Sequence, residues 1–222
     1  MYEVMSIVNR NAALIKLSMY NATKRLFDII FGIIGCLLLI PIAIGIKIAF
    51  LLTKDKGPIL YTQKRIGLNG KEFKFYKFRS MTENADEVLE KILSKSKKMR
   101  LEWEKNKKLE NDPRITKVGK FIRKTSLDEF PQFINVLKGD MSLIGNRPYL
   151  PREKKDMGIY FDSIESTKCG IISYWAINGR NNLCFKDRLK LESYYSKNIG
   201  FRIDIKIFIK AFKVVFKRLG AK

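Results

Sequence analysis

Two adjacent carboxylates, Asp128 and Glu129, lie in the stretch Phe121-Ile-Arg-Lys-Thr-Ser-Leu-Asp-Glu-Phe-Pro-Gln132, just after Arg123 and Lys124. Surrounded by positive charge, both are expected to be ionised at neutral pH. One can then attack phosphorus while its neighbour holds a divalent metal. Ser126 followed three residues later by Glu129 also spells a capping box, in which case the acidic pair only decorates a helix start. A helix N-terminus at this point would in turn offer free backbone donors to a phosphate.

Other residue types narrow the chemistry. The chain has no histidine, which removes Ser-His-Asp and Cys-His nucleophiles, histidine bases and histidine-bound metals. Its three cysteines, Cys36, Cys169 and Cys184, form no close-spaced pair and suit a reducing compartment. What remains is carboxylates, Lys, Arg, Tyr and a hard metal held by oxygen. Arg147 follows the glycine-braced segment Gly139 to Gly145, read as a double turn that aims it outward ahead of Pro148. Arg180 ends a second such device, Asn178-Gly-Arg. The planar fork of arginine suits phosphate. Residues 57 to 80 read as a hairpin about Asn69-Gly70, its second strand interleaving Lys74, Tyr76, Lys77 and Arg79 with aromatics. A solvated hairpin face with its aromatics in the core fits the same pattern.

The elements that must position these groups surround a membrane-like segment. From Ile29 to Ile46 there is no charge, and Pro41 sits inside the run. Such a helix reaches roughly 27 Å, barely the hydrocarbon thickness of a bilayer, and Pro41 is expected to kink or break it. Arg10, Lys16, Lys24 and Arg25 precede the run; Lys47, Lys54, Lys56, Lys64, Arg65 and Lys71 follow it. Basic flanks on both ends favour a re-entrant hairpin over a straight crossing; a single-pass anchor and a buried core helix are the alternatives. Lys24 and Arg25 are placed to grip lipid phosphates, with Asp28 one turn on to pair with Lys24.

Residues 83 to 110 read as a charged surface or lid helix, stopped by Asn111-Asp-Pro113. Residues 202 to 219 form an amphipathic helix with a stripe of Lys206, Lys210, Lys213 and Lys217. It either lies at a membrane interface or packs on the domain. The net charge of +22 calls for polyanions, and beside an apolar run these are lipid headgroups or phosphorylated small molecules more than nucleic acid.

From Lys24 to about Leu219 the chain resembles the bacterial sugar transferases, the monotopic phosphoglycosyl transferases that begin glycan assembly on a polyprenol carrier. The resemblance rests on Lys24-Arg25 with Asp28, the proline-interrupted helix and Phe73-Lys-Phe-Tyr-Lys-Phe-Arg-Ser-Met81. It continues in Leu127-Asp-Glu-Phe-Pro-Gln132, Gly139-Asp-Met-Ser-Leu-Ile-Gly145 with Arg147-Pro148, and Asn178-Gly-Arg180. It implies an α+β, mostly helical monotopic membrane protein: residues 1–23 as an N-terminal segment, 24–52 as a re-entrant Pro-broken helix, and 53–222 as a cytoplasmic catalytic domain. That domain would carry a short β-hairpin and a C-terminal interfacial amphipathic helix. A location on the cytoplasmic face of the bacterial inner membrane follows.

The activity implied is an exchange in two steps. Asp128 would attack the inner phosphate of a UDP-hexose, expel UMP, and pass the phospho-sugar to polyprenol (undecaprenyl) phosphate, initiating surface polysaccharide synthesis. Glu129 would hold magnesium, while Lys77, Arg123, Arg147 and Arg180 would bind phosphate and nucleotide. Arg147-Pro-Tyr-Leu-Pro-Arg-Glu-Lys154 and Tyr194-Tyr-Ser-Lys-Asn198 resemble the branch handling galactose or glucose 1-phosphate. The implied partners are the UDP-hexose, the polyprenol phosphate and membrane lipid, without nucleic acid; self-association as a homo-oligomer stays open. Lacking further N-terminal membrane helices, the chain would be the minimal catalytic form.

Several positions depart from the family pattern: Ile40 stands for a Ser before the proline, Asn146 for a common Pro, and Cys169, Ile172, Ser173 and Ala176 lie in an altered segment. The competing class is a non-enzymatic basic membrane module that binds anionic lipid or nucleic acid. Such a module has no use for an acidic pair inside a basic loop.

Overall fold

The computed structural model describes residues 2–179 and 182–216. Its longest element is helix α1, Tyr2–Leu52, and part of the domain packs against one face of it. Tyr20 at one end of that face and Phe50 at the other are both buried, whereas Leu26, Ile30, Ile33, Leu37, Ile40, Ile44, Ile48 and Leu51 are exposed. A helix lined with so much uncovered apolar surface is unlike the core helix of a soluble domain.

The helix runs through Pro41 without interruption, so the break expected there is not formed. Proline removes a single N–H, and Ile40 supplies no hydroxyl to satisfy a freed backbone group in an opened turn. Keeping the helix forfeits one hydrogen bond; opening it would forfeit several.

Several contacts fasten α1 to the domain. Gly35 lies under the Phe133 ring, where a Cβ would come within 2.2 Å of ring carbon. Arg25 donates from its two terminal nitrogens to the carbonyls of Val136 and Leu137, at 2.6 and 2.7 Å. These are carbonyls at the C-terminal end of helix α5, Gln132–Lys138, where a cation is favoured. Asp28 is buried and accepts from Ser142 Oγ at 2.9 Å and Leu143 N–H at 2.7 Å, rather than forming the expected pair with Lys24. Lys24 pairs with Asp204, which also accepts from the hydroxyls of Tyr20 and Tyr195, each at 2.8 Å.

Strands β1, Leu60–Ile66, and β2, Glu72–Phe78, pair antiparallel as the sequence suggests. Asn69 and Gly70 take φ of 54° and 72° in the connection, a backbone region open to Asn and Gly. The charged stretch that follows divides into α2, Ala85–Lys95, and α3, Lys97–Asn106, because Ser96 leaves helical geometry and caps α3 by accepting from Met99 N–H. Helix α4, Lys117–Lys124, is capped by Thr116. It closes on the end of β2 at Gly119, where a Cβ would lie 2.0 Å from the Ser80 carbonyl oxygen.

The segment after α5 is no double turn. Met141–Ile144 forms β3, fully buried and paired in parallel with β4, Cys169–Ile172, in the register Met141 to Cys169 and Ile144 to Ile172. Short helices α6, Lys154–Met157, and α7, Phe161–Glu165, lie between them. A strand buried on both faces shows a continuous apolar run, and here that run is too short to stand out. Helices α8, Phe185–Lys197, and α9, Phe201–Phe216, complete the domain.

The tail helix packs on the domain by one face and leaves another exposed. Ile207 is buried against Leu143, Ile144 and Tyr195, while Ile205, Ile209 and Phe212 stay exposed beside the exposed Lys206 and Lys213. Lys217 lies outside the described residues. The architecture is α+β and mostly helical, as expected.

Candidate active site

Asp128 owes its place to the end of α4. Thr125 Oγ donates to the carbonyls of Phe121 and Ile122, at 2.9 and 3.0 Å, and Ser126 then takes φ of 57°. A left-handed serine reverses the chain and is uncommon outside functional turns. A single 3-10 turn, Leu127–Glu129, follows, with Leu127 and Phe130 packed beside Phe78 and Ile122. The apolar neighbours anchor the turn and Asp128 is left buried, 4% exposed. The expected capping box is not formed: the Ser126 side chain caps no N–H, and α5 begins only at Gln132.

Lys77, on β2, meets the aspartate directly, with Nζ 2.6 Å from Asp128 Oδ2. Lys77 is partly exposed while Asp128 is enclosed, so an incoming anion can compete for the ammonium. Arg123, from the last turn of α4, donates from Nε to Ser80 Oγ at 2.9 Å. Burial lowers its pKa, against the pull of the Asp128 and Asp112 carboxylates, and the guanidinium stays charged at neutral pH. Glu129 is half-buried beside Asp128 in the chain.

Magnesium is satisfied by one or two carboxylates together with phosphate oxygens and water. Among the described residues no group of three or more possible ligands occurs, so the donor set fits a metal that arrives with phosphate, and not a protein cage.

The strand and the turn are held in register by Asn135 on α5. Its side chain accepts from Tyr76 N–H at 3.1 Å and donates to the Lys74 carbonyl at 2.7 Å, across the edge of β2 that β1 leaves open. No sequence signal marked it, because its partners are some sixty positions away.

Arg147 does not point outward. It is half-buried, its backbone N–H donates to Glu192 Oε2 at 2.6 Å, and its guanidinium lies 6.0 Å from the Trp175 ring. On the same ring, 4.6 Å away, is the guanidinium of Arg188, which is 4% exposed. Sequence reading missed Arg188 and Glu192; their spacing of four on α8 was the one signal that set them on a common helix face. Burial raises the Glu192 pKa to about 8, partly offset by the Arg147 N–H and by the charges of Arg147 and Arg188. Arg180 lies outside the described residues. Lys24 and Arg25, expected at lipid headgroups, have their cationic heads on Asp204 and on the end of α5, away from the Asp128 cluster.

The profile of the family described as bacterial sugar transferase matches residues 19–218, nearly the whole chain. The chain belongs to the bacterial sugar transferase family. It is 46% identical over 198 residues to the undecaprenyl-phosphate galactose phosphotransferase of Salmonella typhimurium, covering 89% of this chain and 41% of that one. It is 43% identical over 198 residues to the UDP-galactose-lipid carrier transferase of Erwinia amylovora, again 89% of this chain and 41% of the relative. With the exopolysaccharide production protein ExoY of Sinorhizobium fredii it shares 35% identity over 202 residues, covering 90% and 88%. The chain thus spans less than half the length of the first two relatives and most of the length of the third.

Proposed function

We propose that this member of the sugar transferase family moves a hexose 1-phosphate, galactose 1-phosphate first among them, from a UDP-sugar to undecaprenyl phosphate, releasing UMP. The observation that carries the reading is the buried Asp128 carboxylate held against Lys77 at 2.6 Å, with Arg123 close behind. A carboxylate held against an ammonium needs no general base to act as a nucleophile. The relatives named for galactose transfer to a lipid carrier supply the substrate class.

In the first step an Asp128 oxygen forms a bond to the phosphorus that carries the sugar. The bridging P–O bond breaks, and its electron pair leaves on the oxygen of UMP. Lys77 gives up its hold on Asp128 as the donor arrives and neutralises charge on the transferred phosphate, aided by Arg123. In the second step an oxygen of undecaprenyl phosphate attacks the same phosphorus and the Asp128 carboxylate is regenerated. Glu129 is the proposed protein ligand for Mg2+, which when bound would neutralise diphosphate charge.

The proposed location is the cytoplasmic face of the inner membrane with α1 entering one leaflet, and the packing of the domain on α1 supports the one-leaflet part of that reading. From Tyr20 to Phe50 one face is covered by the domain, so a crossing upright through that length would drag polar domain surface into hydrocarbon. The exposed apolar residues of α1 and of α9 offer the opposite surface to lipid.

The test is UMP release from UDP-galactose with Mg2+ and undecaprenyl phosphate. Asp128→Asn and Asp128→Ala are expected to abolish it, and full turnover by Asp128→Ala removes the reading. Indifference to the nucleotide-sugar, with binding that depends only on salt, would favour the basic lipid-binding module instead.

A further inference from the structure

Beyond Asp128 and Lys77 the structure holds a second group of cations. Arg147, from the loop after β3, and Arg188, from α8, share the Trp175 ring at 6.0 and 4.6 Å. The buried Nε atoms of Arg147 and Arg188, and Nε1 of Trp175, have no hydrogen-bond partner among the described residues. Neither guanidinium is ion-paired to a described carboxylate, although Arg188 is 4% exposed. The carboxylates nearest by are engaged with backbone: Glu192 Oε2 accepts from Arg147 N–H and Glu153 Oε2 from Leu150 N–H. Arg65 and Lys108 add to the positive field, each depressed in pKa by burial first and then by Arg147 or Arg188. Glu192 and Glu153 act on Arg188 electrostatically without bonding its head, and the Glu192 Oε1 atom has no hydrogen-bond partner among the described residues. Buried donors without acceptors, and like charges set side by side, are costly unless a ligand completes them.

Arg123 couples this group to the nucleophile: its guanidinium feels both the Asp128 carboxylate and the Arg147 charge. A diphosphate donor has two phosphates to place, and Asp128 must touch the one that carries the sugar.

We infer that Arg147 and Arg188, seated on Trp175, bind the phosphate that departs with the nucleoside, leaving Lys77 and Arg123 to the phosphate that is transferred. This rests on the donor reading above and assigns a separate set of residues to each half of the diphosphate. As the bridging bond breaks, charge grows on the departing phosphate, and a planar guanidinium pair neutralises it there. The same donors suit any phosphate monoester, so the carrier lipid's phosphate is the rival occupant to be separated by experiment.

The experiment is calorimetric titration of the full chain in lipid nanodiscs with UMP, uridine, inorganic phosphate and a short-chain prenyl phosphate, for wild type, Arg147→Gln, Arg188→Gln and Arg188→Lys. Losing a charge-assisted hydrogen bond is worth about 1.5–3 kcal/mol, so each Gln variant is expected to weaken UMP binding by roughly 10- to 150-fold. Prenyl phosphate binding should be unchanged in both, and Arg188→Lys should fall between wild type and Arg188→Gln. Should Arg188→Gln fail to fold, the half-exposed Arg147→Gln carries the test. UMP binding at wild-type strength in folded Gln variants overturns the inference, and so does loss of prenyl phosphate binding with UMP binding kept. A wild-type chain that binds UMP through these arginines, yet releases none from any UDP-hexose, supports the inference and removes the proposed function.

Discussion

Asn135 bonds in both directions across the open edge of β2, accepting from Tyr76 N–H at 3.1 Å and donating to the Lys74 carbonyl at 2.7 Å. One step along the strand is Lys77, and a few residues before Asn135 in the chain is Asp128. A single buried carboxamide therefore fixes how the cation meets the carboxylate. Asn135→Ala removes both bonds, and a third to Asp140 Oδ2 at 3.2 Å, at a fully buried position and should cost about 1–3 kcal/mol of stability. Because the catalytic pair loses its register, the turnover measured at a temperature where the variant remains folded should also fall, by on the order of 100-fold. A variant that loses stability and keeps full turnover would separate Asn135 from the site.

Lys77 Nζ lies 2.6 Å from the Asp128 carboxylate, and the proposed role of its ammonium is charge placed where the transferred phosphate arrives. Lys77→Met keeps most of the stem and removes the ammonium. Steady-state assays of UMP release should show kcat reduced by about 100-fold or more, with the protein still folded by circular dichroism.

Asp204 gathers Tyr20, Lys24 and Tyr195, tying α9 and α8 to α1. Removing one partner of a buried charge pair leaves the other uncompensated, at about 3–5 kcal/mol. Asp204→Ala should lower the unfolding temperature in detergent markedly, and Lys24→Met should lower it too. If Lys24 acted at lipid headgroups instead, its loss would weaken vesicle binding and leave the unfolding temperature unchanged.

Glu192 links stability to pH. Burial holds its carboxyl proton in the folded chain up to about 8, against an ordinary value of 4.5. Between these values the unfolded chain has released the proton and the folded chain has kept it, so the folded state binds more protons. Stability from this group is fully present below pH 4.5 and is lost as pH rises toward 8. Chemical denaturation across that window should show the decline in wild type and a shallower one in Glu192→Gln.

How much of this was legible beforehand depended on how local each signal is. Asn69-Gly70 announced its hairpin because the turn is made by the two residues that name it. Asp128 and Glu129 stood out as an acidic pair in a basic context, and the tail announced a helix by its period. Arg188, Glu192 and Asn135 acquire meaning only from partners brought close by folding, so no window of neighbouring residues contained the information. β3 reads as a turn because the glycines on either side outweigh a four-residue run with three apolar residues, although that run is the parallel pairing partner of β4. The break expected at Pro41 does not form for a different reason: a helix already fastened at Gly35, Ile46 and Phe50 loses less by tolerating one missing hydrogen bond than by opening.

The central claim is a covalent bond between Asp128 and the sugar's phosphate. Wild-type protein is incubated with UDP-galactose and Mg2+ without carrier lipid, quenched, digested and weighed by mass spectrometry. A phospho-hexose adduct is expected on the peptide bearing Asp128, absent in Asp128→Asn and discharged when undecaprenyl phosphate is added. No adduct on that peptide, under conditions where carrier lipid gives full UMP release, would contradict it.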